Sequence, residues 1–121
     1  MATSTKPDPK RGEIWLIDFN PTKGKEINKT RPALVISSDG VGILPLKIVA
    51  PLTAWKDKFT QNFWHIRIDP DVANCLDQTD AVDTLQVRSV SVTRFIKKKG
   101  RASADVMEEV AASVAALVEY E

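Results

Sequence analysis

Two short apolar runs, Ile14–Phe19 and Ala33–Ile36, frame a segment crowded with turn residues and charge, and this stretch, Arg11–Ser38, constrains the fold more than any other. Both runs are rich in β-branched and aromatic residues and are too short for buried helices, so they read as strands. Between them lie Pro21, Lys23, Gly24, Lys25, Glu26, Lys29 and Arg31, a loop with one carboxylate and four cations. Two strands that pair would hold those groups close together.

At 121 residues the chain is long enough for one domain that buries roughly 65% of its unfolded surface, and it has no room for a second. No apolar run reaches the length of a membrane span, so no membrane association is expected. The opening MATSTKPDPK lacks the apolar middle of a secretory peptide. Residues 1–9 therefore read as a flexible arm and 10–121 as a single cytoplasmic domain. Cys75 is alone and His65 is the only histidine, which leaves no disulfide and no zinc-type ligand set, so no metal site is expected. The net charge of +1 hides a segregation: residues 94–101 hold five cations and no acid, and residues 102–121 hold five acids and no cation. On charge alone the basic run reads as a solvated turn, although it and the first loop together form a candidate positive face.

Further along, Leu44–Leu52 predicts a third strand with Pro45 and Pro51 near its ends, and Phe63–Ile68 alternates as a fourth with one buried face. DPDVANCLDQTD reads as a loop or one helical turn. Ala81–Val92 alternates without a clean apolar register, which predicts two short strands or a bulge. From Ser103 the period changes. Val106, Met107, Val110, Val114, Leu117 and Val118 recur at helical spacing, with Ser103 as N-cap and Asp105, Glu108 and Glu109 near the positive end of the dipole. Short strands followed by one terminal helix predict an α+β fold: a small, strongly bent antiparallel sheet or barrel with the helix packed on it.

Arg31 precedes Pro32, which biases it toward extended backbone, and a guanidinium so held can grip a phosphate bidentately. By residue type alone, a surface arginine paired with Glu26 or Asp39 is the commoner reading. Thr53 is a hydroxyl donor for phosphate or a turn cap; Glu26 is a general base or an ion-pair partner. Gln86 and Arg88 fall on one strand face by period two, suited to a base edge or a phosphate backbone, or else to an ordinary exposed face. Trp15 and Trp64 fit core strands. Trp55 falls in a polar loop and offers an exposed stacking surface. His65 reads as a surface strand histidine, because nothing near it in sequence orients it.

RGEIWLIDFNPTKGKE at 11–26, TRPALVISS at 30–38, VAPLT at 49–53, the LQVRSV segment and the terminal helix together resemble the MazF/PemK (Kid-like) toxins. The resemblance implies an SH3-like β-barrel with a C-terminal helix, and a homodimer inhibited by a cognate antitoxin peptide, with which such toxins bind DNA. It also implies a sequence-specific endoribonuclease that cuts single-stranded RNA without a cofactor or metal, by attack of the 2′-hydroxyl to leave a cyclic phosphate and a 5′-hydroxyl. Arg31 and Thr53 then match groups acting on the scissile phosphate, Glu26 the proton acceptor, and Lys25 a phosphate contact. Two positions depart from the pattern. Ile27 stands where the family usually has glutamine, and Leu85 where an acid precedes the strand glutamine; Asp83, on the same face by period two, becomes the alternative base. Two other classes of function remain open: a gyrase poison like the CcdB toxins, and an RNA- or protein-binding module without catalysis.

Overall fold

Alternation along the first apolar run becomes strand β1 (Glu13–Asp18) in the computed structural model, which describes residues 7–120. It pairs antiparallel with β2 (Thr30–Val35), with Ile14 opposite Leu34 and Ile17 opposite Arg31. β3 (Leu46–Ala54) continues the sheet, with Ala33 opposite Pro51. Its other edge is shared by two strands in tandem: β6 (Arg88–Ser91) along Leu46–Val49 and β5 (Asp80–Asp83) along Leu52–Ala54. Pro51, which cannot donate, sits between those two partners, so β3 runs past it instead of ending near it. β4 (His65–Ile68) borders β5, and β7 (Phe95–Arg101) borders β1.

The seven strands form one antiparallel sheet in the order β4-β5-β3-β2-β1-β7, with β6 on β3. It is bent but not closed by strand pairing, so the expected barrel is an open sheet. Both faces are buried. Ile14, Leu34, Ala50, Leu52 and Val82 form one core under helix α1 (Ala104–Leu117), and Ile17, Phe19, Ala33, Val35, Val49, Val90 and Phe95 form the other, where the sheet curls on itself. Strands with both faces covered read as apolar runs more than as clean alternation, as β2 does.

The basic segment is a strand, not a solvated turn. Phe95 is buried in the second core, and across β1 the buried Glu13 receives Lys98 at 3.0 Å and Arg101 at 3.7 Å. Burial pushes the Glu13 carboxyl up, but hydrogen bonds from the Lys10 N–H, the Trp15 indole and Lys98 outweigh it and hold the group below its ordinary value.

Ser103 caps α1 by accepting from the Val106 N–H at 3.2 Å. Of the predicted helix face, Val110 is fully buried, whereas Val118 lies beyond the helix and is 71% exposed. The segment Ala81–Val92 resolves into β5, a 3₁₀ turn at Thr84–Gln86 and β6. The DPDVANCLDQTD segment is a loop organised by buried Asn74, whose Oδ1 accepts from the Asp71 and Leu76 N–H groups. Residues 1–6 of the expected arm lie outside the described residues; Pro9 is fully buried. No helix among the described residues is long and apolar enough to cross a membrane.

Candidate nucleic-acid cleft

The loop after β1 and the turn after β5 face one another across a cleft of about 430 Å³. Phe19, Ile27, Pro51, Leu85 and Val87 supply apolar wall, and Lys25, Glu26, Asp83, Gln86 and Arg88 supply the charged and polar groups. Five of the predicted site residues therefore meet in one place.

Arg31, Thr53 and Trp55 are not among its lining residues. Thr53 follows Pro51 by two positions in β3 and Arg31 precedes Ala33 by two in β2, but the β2–β3 pairing ends at Ala33–Pro51. Arg31 pairs with neither Glu26 nor Asp39; its Nε donates to the Asn28 carbonyl at 2.9 Å. Glu26 accepts at Oε1 from the Lys23 N–H at 2.7 Å, which folds the loop back on itself.

Gln86 and Arg88 do not share a strand face, because Gln86 ends the 3₁₀ turn and Arg88 opens β6. The Gln86 amide is engaged at both ends: its Oε1 accepts from the Ile27 N–H at 2.8 Å and its Nε2 donates to the Lys25 carbonyl at 3.0 Å. The Arg88 guanidinium lies 5.7 Å from the centre of the Phe19 ring, held in a cation–π contact at the cleft floor.

Trp55 is half-buried, not an open platform. It meets Phe59 edge-on at 5.8 Å, and the Arg67 guanidinium covers it at 5.6 Å. Trp15 packs edge-on against Phe95 at 5.7 Å, as a core strand residue does.

His65 is oriented after all, by the nearby Asn62 and by Phe59 and Asp83, which the fold brings to it. Its ring stacks on Phe59 at 3.8 Å, Asn62 Nδ2 reaches Nδ1 at 3.2 Å, and Nε2 lies 3.6 Å from Asp83 Oδ2. Asp83 Oδ1 accepts from the Leu85 N–H at 3.1 Å and so caps the 3₁₀ turn. That turn rotates Leu85 into solvent, 60% exposed, so Leu85 does not share the buried face of Asp83. Burial pushes the Asp83 carboxyl up against the opposing pull of His65 and the Gln86 and Leu85 N–H groups. Burial likewise pushes the His65 imidazole down, against the pull of Asp83 and together with the push of Lys58. Among the described residues no group of three or more His, Cys, Asp or Glu side chains is placed to hold a metal ion.

The profile of PemK-like, MazF-like toxins of type II toxin-antitoxin systems matches residues 10–118. The chain belongs to this family. The endoribonuclease MazF9 of Mycobacterium tuberculosis is 28% identical over 108 residues, spanning 78% of this chain and 83% of that protein. The crystal structure of MazF from Deinococcus radiodurans superposes with a TM-score of 0.75 at 26% identity, covering 92% of this chain and 96% of that one. An endoribonuclease from a mycobacterial species, solved in complex with its cognate antitoxin, shares the fold with a TM-score of 0.73 at 12% identity, covering 94% of this chain and 98% of that one. Within this PemK/MazF member, sequence reasoning missed the orientation of His65 by Phe59 and the place of Phe19 in the cleft, whereas Ile27 and Leu85 stood out already as departures from the family pattern. The alternation of Phe63, His65 and Arg67 was the only signal for His65, and it pointed outward.

Proposed function

We propose that this chain is the toxin of a type II toxin-antitoxin pair and cuts single-stranded RNA in the cleft bounded by the 21–29 loop and the 83–88 segment. The observation that carries the reading is the convergence of Lys25, Glu26, Asp83 and Arg88 on one cleft, with Arg31 and Thr53 each two residues beyond the Ala33–Pro51 pair where β2 and β3 part.

Glu26 takes the proton of a substrate 2′-hydroxyl, and the 2′-oxygen then attacks the adjacent phosphorus. The bond from phosphorus to the 5′-oxygen breaks, the departing oxygen takes a proton from solvent while Glu26 returns its own to solvent, and a 2′,3′-cyclic phosphate and a 5′-hydroxyl result. Arg31 and Thr53 neutralise the charge that grows on the phosphoryl oxygens, where fixed donors stabilise the transition state more than the ground state. Lys25 and Arg88 hold flanking phosphates, Trp55 offers its open edge to a base, and Gln86 keeps the loop in place. Glu26 is preferred to Asp83 as base because both Asp83 oxygens face protein donors.

A cognate antitoxin peptide, acidic and apolar, would compete for the same cations. A second copy of the chain would cover the apolar surface of Ile43, Leu44, Leu46 and Ile48, of which Ile43 is fully exposed.

The test uses purified protein with EDTA on a long single-stranded RNA, with the ends of the products analysed. Wild type yields 5′-hydroxyl and cyclic-phosphate ends, and Arg31→Ala yields almost none. Intact RNA with both proteins sinks the reading; RNA bound with salt-dependent affinity yet uncut supports a binding module instead.

A further inference from the structure

Between β1 and β2 the loop that carries Lys25 and Glu26 has no regular structure of its own. One side chain clasps it to the rest of the cleft. Gln86 takes the Ile27 N–H and the Lys25 carbonyl, the backbone groups on either side of Glu26, so the pose of Glu26 depends on where Gln86 stands. Gln86 is the last residue of the 3₁₀ turn whose cap is Asp83 Oδ1. The other oxygen of that carboxylate, Oδ2, faces His65 Nε2 at 3.6 Å.

His65 is itself well fixed. With Asn62 Nδ2 as the donor, His65 Nδ1 accepts and an imidazole proton on Nε2 points at Asp83. Phe59 stacks on the ring with an interplanar angle of 8°, which fixes its plane, and the His65 side chain is only 10% exposed. Phe59 also meets Trp55, so an unbroken row of contacts runs from the surface loop after β3 to the clasp.

We infer that His65 is a positioning residue of the cleft, aiming the Asp83 carboxylate so that the 84–86 turn presents Gln86 to the Lys25–Ile27 backbone. It touches no substrate. Its effect reaches the reaction only through Glu26, and to that extent it rests on the proposed function; the clasp itself does not. Thr84 gives a competing account of the turn, because its Oγ1 donates to the Trp64 carbonyl at 2.8 Å and meets Ser113 Oγ at 2.6 Å. Those bonds fix where the turn starts. They leave the direction of the Asp83 cap to His65.

The charged groups that face the pair are Lys58 from the 57–61 turn and, lining the cleft with Asp83, Lys25, Glu26 and Arg88.

Amide hydrogen exchange on the full chain tests the inference without reference to RNA. His65→Leu should speed exchange of the Ile27 N–H by roughly tenfold, the size expected when one supporting polar contact is lost. Amides of β1 and β2 should keep their wild-type rates, and His65→Gln, which retains a donor, should restore most of the protection. Wild-type exchange at Ile27 in His65→Leu, or equal acceleration of every amide, overturns the inference. In Asp83→Asn the turn keeps its cap, and the NMR titration of the His65 imidazole should move to lower pH because the carboxylate that raises it is gone. An unmoved titration overturns the inference too. If RNA cleavage fails in wild type while Ile27 responds to His65→Leu, the proposed function falls and the positioning role of His65 stands.

Discussion

Arg31 is held by its Nε bond to Asn28, and neither Glu26 nor Asp39 neutralises it, an arrangement that leaves the end of the guanidinium for a phosphate fork. Arg31→Ala should therefore lower the RNA cleavage rate by roughly 10²–10³-fold, as loss of one transition-state donor does, while the circular dichroism spectrum stays unchanged. His65 makes a second prediction at this scale. Its imidazole is held below the ordinary value of about 6.5 by burial, so the unfolded chain binds its proton more readily. Stability contributed by the neutral ring is present above pH ~6.5 and is lost as pH falls toward the folded value. Asp83 has the opposite sign: its raised carboxyl binds a proton more tightly when folded, which favours the folded chain as pH falls toward the unfolded carboxylate value. Because His65 is the only histidine, a fall in Tm between pH 7.5 and 5.5 belongs to it, and His65→Gln should flatten that fall. A Tm that drops equally in both proteins refutes this assignment. The cleft position of Glu26 was legible in the sequence because a turn-rich loop between two strands marks it, whereas Arg31 and Thr53 stand out by resemblance to the family and not by local pattern. His65 was not legible, since Asn62 is its only near neighbour among the groups that orient it; Asp83 reaches it through β4–β5 pairing.

At the scale of elements, patterning predicted strands where one face is apolar and failed where charge masked a strand. β7 carries cations at most positions, and what makes it a strand lies on β1: Glu13 for its lysine and arginine, and the pocket for Phe95. No window confined to residues 94–101 contains that information. The same holds for the break between β5 and β6, where a side-chain cap, not a glycine or proline, ends the strand. Gly100 shows how closely β7 is packed. A Cβ there would stand 2.5 Å from the carbonyl oxygens of both Ala73 and Asn74, backbone atoms that cannot swing aside. Gly100→Ala should cost about 2 kcal/mol or more in chemical denaturation, by overpacking, with the change confined to the midpoint if the unfolded state is unaffected. Ser113 is the buried polar residue of α1, and its single hydroxyl proton serves either the Phe63 carbonyl at 3.1 Å or Thr84 Oγ1 at 2.6 Å. Its replacement by alanine removes that bond and should cost roughly 1–2 kcal/mol, read in the same experiment.

For the whole molecule, two cores account for most of the buried apolar residues, yet Ile43, Leu44, Leu46 and Ile48 stay exposed on one continuous segment of chain. Ordinary surface composition scatters such residues singly, whereas a run of four leading into the first part of β3 is what an interface leaves uncovered in one copy. Nothing in the pattern of residues marks this segment, since Leu44–Leu52 reads simply as a strand, and only burial separates its exposed beginning from its buried end. A second copy of the chain on this segment predicts a sedimentation equilibrium mass twice that of one chain and a Tm that rises with protein concentration. Leu46→Asp places a charge where Leu46 is 49% exposed, so it should leave the monomer folded while shifting the population to single chains and abolishing the concentration dependence of Tm. A wild-type chain that sediments as a monomer at high micromolar concentration rules out the dimer, and a Leu46→Asp variant that stays dimeric moves the interface elsewhere on the molecule.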